Sequence, residues 1–264
     1  MEYTSPSPLA VVTGASSGIG RELARQFAQH GFDLFIASED AGIAATADEL
    51  RAIGTQVDSA QIDLTTYDGV EELCRRVRSL DRPVDALALN AGIGVIGEFL
   101  DNDLDAELEM IDLNVKSTVH AAKRLIPDMV ARRQGRVLIT SSIAAETPGP
   151  YEAVYHGTKA FEQSFAIALR HELKDTGVTV TALQPGPTET NFFHRAGGDD
   201  TKIGVSEKDD PAVVAREGYE ALMAGHDYVV AGSFKNKAEV AMSHVVPDTA
   251  GAAQVAKQTK PGSA

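Results

Sequence analysis

Residues 9–31 constrain the fold of this chain more than any other stretch. A short apolar run, LAVVT, enters the turn Gly14-Ala-Ser-Ser-Gly18-Ile-Gly20. It leaves as RELARQFAQHG, in which Leu23, Ala24, Phe27 and Ala28 form a helical stripe that Gly31 ends. The order is buried strand, glycine turn, helix. Such a turn lets backbone approach a pyrophosphate, and the free N–H groups of the helix N-terminus favour an anion. It is not a Walker A loop, because no Gly-Lys-Ser/Thr follows, and its glycines are spaced three-then-one rather than as GxGxxG. A purely structural glycine turn is the competing reading.

The rest of the chain continues the alternation. Strands are expected at 9–13, 33–37, 56–61, 84–89, 135–140, 178–183 and 227–230, and helices near 18–30, 41–53, 66–80, 103–131, 153–175 and 211–224. Strands separated by helices favour right-handed crossovers, and so an α/β fold with a doubly wound parallel sheet and helices on both faces. A length of 264 residues fits one domain with a large core. Residues 1–8 read as a flexible leader, 9–246 as a single nucleotide-binding catalytic domain, and 247–264, small, polar and punctuated by Gly and Pro, as a flexible tail or a segment docked on a partner subunit.

Charge narrows the partners. The formal net charge is −14, which argues against nucleic-acid or anionic-membrane surfaces, since both require basic patches. The single cysteine, Cys74, has no internal disulfide partner, and its helical neighbourhood reads as a structural thiol. The seven histidines show no metal spacing, so no metal is expected. Without a signal peptide or a run of about 18 apolar residues, the expected location is cytoplasmic.

Tyr155 and Lys159 carry the chemistry. Their spacing of four puts both side chains on one helical face. An isolated tyrosine, with a pKa of about 10, is a poor proton acceptor at neutral pH. A neighbouring lysine cation favours the phenolate, and the pair can then move the proton that carbonyl–alcohol interconversion requires. Tyr151 has no lysine at the matching position. His156 is read as incidental.

Taken together and in order, TGASSGIG, Asn90-Ala91-Gly92, a serine before Tyr-x-x-x-Lys, and Pro185-Gly186 resemble the short-chain dehydrogenase/reductase family over roughly residues 9–235. The resemblance implies a one-domain Rossmann fold, a nicotinamide cofactor, and a homodimer or homotetramer acting on a small-molecule carbonyl or alcohol. It implies that Ser142, thirteen residues before Tyr155, stabilises the carbonyl or alkoxide oxygen, with Ser141 as the competitor. It further implies that Asn114 perturbs its helix and holds a proton-relay water, and that Lys159 both tunes Tyr155 and binds the nicotinamide ribose. On the cofactor side it points to Gly14, Ser16, Ser17, Gly18, Ile19 and Gly20 of the turn, to Asp63 and Leu64 near the adenine, and to Asn90, Ala91 and Gly92 after the fourth strand. Tyr155, Lys159, Pro185, Gly186 and Thr188 complete that set.

NAD is preferred over NADP in this reading. The second strand ends in Ser38-Glu39-Asp40, and a carboxylate at Glu39 would repel a 2′-phosphate. Glu39 as a plain solvated acid is the alternative, and Arg21 is the one nearby cation that could reach a phosphate. The substrate pocket is expected from 93–99, 143–151 and the segment after Pro185, including Val95, Ile96, Phe99, Ile143, Phe192 and Phe193, which suits a ketone with an apolar body. Segment 191–210, with Gly197-Gly198 as a hinge, reads as a mobile lid, in which the two phenylalanines either cover the pocket or are packing. The complete Asn–Ser–Tyr–Lys set favours an oxidoreductase over a non-catalytic nicotinamide-binding regulator.

Overall fold

The computed structural model describes residues 7–264, so residues 1–6 of the expected leader lie outside the described residues. Seven strands form one sheet: β1 (Leu9–Thr13), β2 (Asp33–Ser38), β3 (Val57–Gln61), β4 (Ala86–Leu89), β5 (Gly135–Thr140), β6 (Val178–Pro185) and β7 (Tyr228–Ala231). Every pairing is parallel and the order is β3-β2-β1-β4-β5-β6-β7, so the winding reverses between β1 and β4. This is the Rossmann arrangement expected from the alternation.

Strand alternation divides the core in two. Leu9 and Val11 of β1 face a layer built from α3 (Tyr67–Ser79), α5 (Thr118–Arg132) and α6 (Ala153–Glu172), with Leu73, Leu125 and Met129 in it. Ala10 and Val12 face α1 (Gly18–Gln29), α2 (Ile43–Arg51) and α9 (Pro211–Ala224), with Leu23, Phe27, Leu50 and Leu222. The strands are buried on both faces, which is why they read as unbroken apolar runs. Phe27 is fully buried and stacks edge-on against both Phe32 and Tyr219, a burial worth about 2–3 kcal/mol.

The expected long helix at 103–131 is interrupted. Asp103 caps α4 (Leu104–Ile111) by accepting from the Ala106 N–H, then Asp112–Ser117 form a π-helical turn before α5 begins. Residues 191–210, read as a mobile lid, contain two short helices, α7 (Phe192–Arg195) and α8 (Lys202–Val205). Thr201 caps the second through the Gly204 N–H, and Asp209 bridges to Thr188. Phe193 belongs to a small apolar cluster with Ile96 and Ala196, against which Phe192 packs, and both rings also border the main cavity.

Beyond β7 lie α10 (Phe234–Ser243) and α11 (Asp248–Thr259), neither of which the sequence reading anticipated. The segment 247–264 is a docked helix and its extension rather than a loose tail. Thr259 is buried and donates to the Pro150 carbonyl, the Gly262 N–H donates to Asp200 Oδ2, and the Lys202 N–H donates to Ser263 Oγ. The small residues of DTAGAAQVAKQT hide an amphipathic stripe, but alanines are strong helix formers and let the helix approach closely; a Cβ on Gly251 would lie 2.8 Å from Thr147. Among the described residues, no helix is long and apolar enough to cross a membrane.

Candidate active site

A cavity of about 720 Å³ opens at the carboxyl ends of the strands, beside the reversal in winding. Ligands bind there in open α/β sheets because the crossovers diverge at that point. Its floor at one end is the glycine turn. Gly14 and Gly18 take φ of +67° and +55°, values that other residues adopt only with strain. A Cβ on Gly14 would lie 2.8 Å from Ala91 Cα, and one on Gly20 would collide with the Gly14 carbonyl oxygen. Ser17, extended at the N-cap of α1, makes no side-chain cap, which leaves the first-turn N–H groups free of it. Ser16, Ser17, Gly18, Ile19 and Gly20 all line the cavity.

Around this turn, Asn90 stitches three strands together. Its Nδ2 donates to the Thr13 carbonyl, its N–H to Thr13 Oγ1, and its Oδ1 accepts from Thr140 Oγ1. Asn90, Ala91, Gly92, Ser38, Glu39 and Leu64 line the same cavity. Ser38 Oγ lies 3.0 Å from Ser16 Oγ. Asp63 does not line it: its Oδ1 accepts from the N–H and hydroxyl of Thr65, and Ile62 and Leu64 present themselves instead. Arg21 also stays outside the lining residues, with its guanidinium 3.5 Å from Glu22.

At the other end stands Tyr155, on the first turn of α6. Ser142, Tyr155, Lys159, Pro185, Gly186 and Thr188 line the cavity together. Ser142 Oγ accepts from the Ala144 N–H and sits 3.3 Å from the Pro185 carbonyl. Ser141 Oγ is committed to the Lys159 carbonyl at 2.8 Å. Both serines border the cavity, and they differ in that the Ser141 hydroxyl is taken up by the helix carbonyl.

The charges around Tyr155 depart from expectation. Burial pushes the phenol well above the ordinary tyrosine range, the Glu152 carboxylate adds to this, a hydrogen bond with Ser142 opposes it, and Glu162 raises it further. Lys159 Nζ lies 5.8 Å from the centre of the Tyr155 ring. It donates to the Thr140 carbonyl at 3.0 Å and pairs with Glu162 Oε2 at 2.8 Å. The lysine cation thus has a carboxylate of its own.

Asn114 is fully buried but is not a cavity-lining residue. Its Oδ1 accepts from the Ile93 N–H at 3.0 Å, and its Nδ2 donates to the Ile93 carbonyl at 2.9 Å and to Thr158 Oγ1 at 3.0 Å. The π-helical turn and this side chain belong together, since such turns displace one residue out of the regular helical ladder. A Cβ on Gly92 would meet Asn114 Oδ1 at 3.2 Å and Lys159 Nζ at 3.3 Å, a tight fit between them.

The substrate end differs most from the sequence reading. Val95 lines a separate depression of about 180 Å³, Phe99 is exposed, and Ile96 is buried under the lid. Of the expected residues, Ile143, Phe193 and Phe192, whose ring centre is 5.2 Å from that of Tyr155, line the cavity, and the rest of the wall comes from residues of α8, α10 and α11 such as Ile203, Val240, Val255 and Thr259. His156, read as incidental, is buried in the wall beside Tyr155. Its Nδ1 lies 2.6 Å from the Thr147 carbonyl and its Nε2 lies 3.7 Å from Glu152. Glu146, Glu152 and Glu239 also face the cavity. No periodicity marked these residues, because they converge from four separate segments.

The sequence pattern described as short chain dehydrogenase matches residues 8–200. An uncharacterized oxidoreductase of Bacillus subtilis (strain 168), YmfI, is 32% identical over 189 residues, covering 70% of this chain and 77% of that protein. A short-chain dehydrogenase from Sphingobium yanoikuyae, solved in complex with NADPH, superposes with a TM-score of 0.79 at 28% identity, covering 84% of this chain and 87% of its own. The 3-ketoacyl-(acyl-carrier-protein) reductase of Brucella melitensis, complexed with NADH, gives 0.74 at 26% identity, covering 84% of this chain and 95% of its own.

Proposed function

This chain belongs to the short-chain dehydrogenase/reductase family, and from that membership we propose that it transfers a hydride between NAD and a ketone or secondary alcohol, with Tyr155 as the acid–base group. As a family member it is an oxidoreductase that uses a nicotinamide cofactor. The observation that carries the finer reading is the convergence of Ser142, Tyr155 and Lys159 at one end of a cavity whose other end is the glycine turn.

The residues fit such a cofactor. The uncapped start of α1 and the turn 14–20 would hold its pyrophosphate, Gly92 leaves the space between Asn114 and Lys159 open, and Pro185, Gly186 and Thr188 would flank the nicotinamide. The bound nicotinamide ring supplies or accepts the hydride. Ser142 offers a hydroxyl to the substrate oxygen, and Tyr155 gives that oxygen a proton as it becomes alkoxide-like. Burial holds the phenol in its protonated form at neutral pH, the form that can donate this proton. Lys159 would hold the nicotinamide ribose. Asn114 acts by fixing the backbone at Ile93 and the π-helical turn, where the broken helical ladder would leave a place for a relay water.

Several features support NAD over NADP: the lining residues beside Ser38 are Ser16, Ser17 and Glu39, and Arg21 is turned to Glu22. Ile143, Phe192, Ile203 and Val255 support a substrate with an apolar body, while Glu152 and His156 beside Tyr155 would meet a polar substituent near the reacting carbon. Exposed Leu104, Leu108, Phe161 and Ile167 on α4 and α6, two helices that pack together, support a homodimer or homotetramer.

Cofactor fluorescence with a mixed panel of ketones and secondary alcohols, run with NAD and NADP, tests the reaction. Tyr155→Phe is expected to abolish turnover while leaving cofactor affinity within a few-fold. Turnover in that variant comparable to the unaltered protein would move the acid–base role to another residue.

A further inference from the structure

Glu162 takes no part in the chemistry described so far, yet it is a carboxylate at 1% exposure inside a helix. Burying a charge this completely is costly unless it is paired. Its partner is Lys159, one turn earlier on α6, at 2.8 Å and itself only 4% exposed. The remaining contact of that ammonium is the Thr140 carbonyl at the end of β5. The cation therefore sits in a two-point seat, with a strand carbonyl on one side and the carboxylate on the other, and faces Tyr155 across 5.8 Å.

We propose that Glu162 is a positioning residue that seats the Lys159 ammonium and offsets its charge, so that phenolate formation at Tyr155 is tied to the presence of a second cation, an oxidised nicotinamide, in the cavity. This rests on the reading of Tyr155 as the proton-transferring group.

Apart from Glu152, the titratable groups on the elements packed against α6 are engaged elsewhere or exposed. Of the elements packed on α6, β6 carries no titratable side chain. The turn 143–146 carries Glu146, which accepts from Gln184 Nε2. In the π-helical turn Asp112 and Lys116 pair with each other at 2.7 Å. On α4, Glu107 accepts from Asn102, and Asp105 and Glu109 are exposed; β5 carries Arg136, at its far end. On α6 itself, Glu152 faces His156 and also raises the Tyr155 phenol. Burial pushes the Glu162 carboxyl up to about 7 against the opposing pull of Lys159.

The consequence is directional. With Glu162 ionised, the pair is neutral and the phenol stays protonated, ready to donate in reduction. Alcohol oxidation needs the phenolate, and the added positive charge of an oxidised nicotinamide then supplies what Lys159 alone does not.

The test is a tyrosinate ultraviolet difference titration of the protein saturated with the oxidised nucleotide, with Tyr155→Phe as the blank. Glu162→Gln and Glu162→Leu should each lower the midpoint of Tyr155 ionisation by about one pH unit, because the cation is no longer offset. An unchanged or raised midpoint in folded Glu162→Gln overturns the proposal. Where the single variants do not fold, Lys159→Met is compared with Lys159→Met/Glu162→Leu. Removing both charges should raise the melting temperature by several degrees over Lys159→Met alone, since that single change strands a buried carboxylate. A double variant no more stable than Lys159→Met refutes the pairing. Neither readout requires turnover, so a protein without dehydrogenase activity would sink the proposed function and leave this inference separately decided.

Discussion

Asn114→Ala isolates what holds the cofactor-side loop. Removing the amide leaves the Ile93 N–H and the Ile93 carbonyl without the partners at 3.0 and 2.9 Å, and takes one donor from Thr158. Thr158 keeps its bond to the Tyr155 carbonyl, so its loss is the smallest. An orphaned, buried N–H costs about 1–3 kcal/mol, the carbonyl and hydroxyl each somewhat less, and the gain from placing alanine in a helix is about 0.5 kcal/mol. The expected net loss is about 3 kcal/mol, or about 6–10 °C in melting temperature for a domain of this size. Urea denaturation followed by circular dichroism measures it. Asn114→Asp separates hydrogen bonding from volume: the shape is kept, yet a carboxylate would face the Ile93 carbonyl, and the loss should be at least as large at pH 8 and smaller at pH 4. A loss below about 1 kcal/mol in Asn114→Ala would refute the argument that this amide holds the Ile93 backbone.

Glu39→Arg should shift cofactor preference toward NADP by more than tenfold, about 1.4 kcal/mol, and an unaltered protein that already prefers NADP would defeat the reasoning. Cys74 is fully buried and its thiol is pushed up to about 11, so at pH 8 alkylation of the native protein should be at least 100-fold slower than of the urea-unfolded chain, read by mass spectrometry; comparable rates would contradict its burial. Deleting 248–264 removes Val255, Gln258 and Thr259 from the cavity wall and four hydrogen bonds to 150, 200 and 202. Hydrogen exchange in 198–206 should then rise while the glycine turn keeps its protection, whereas unchanged exchange would show that the lid does not depend on α11.

The sheet was legible because strands buried on both faces need continuous apolar runs, and LAVVT, DLFIA and RVLIT could be little else. The glycine turn was legible because Gly14 and Gly18 need left-handed backbone and Gly20 has no room for a side chain. Tyr155 and Lys159 were marked by helical spacing joined to the family resemblance, and Ser142 by that resemblance and by its place after the apolar run RVLIT. What the sequence left open are contacts between segments far apart in the chain. Asp63 turned to its own loop, and Phe99 to solvent. His156 joined the wall because Thr147 holds its ring, and the terminal helix was hidden by small residues that show no stripe yet pack closely. Local pattern thus determined the scaffold and brought Tyr155 and Lys159 to one helical face, since both rest on spacing within one element. The electrostatic state of that pair was decided by tertiary structure alone: Glu162 is close to Lys159 in sequence, but only the burial of both against β5 and the π-helical turn turns a common surface spacing into a charge that Tyr155 feels.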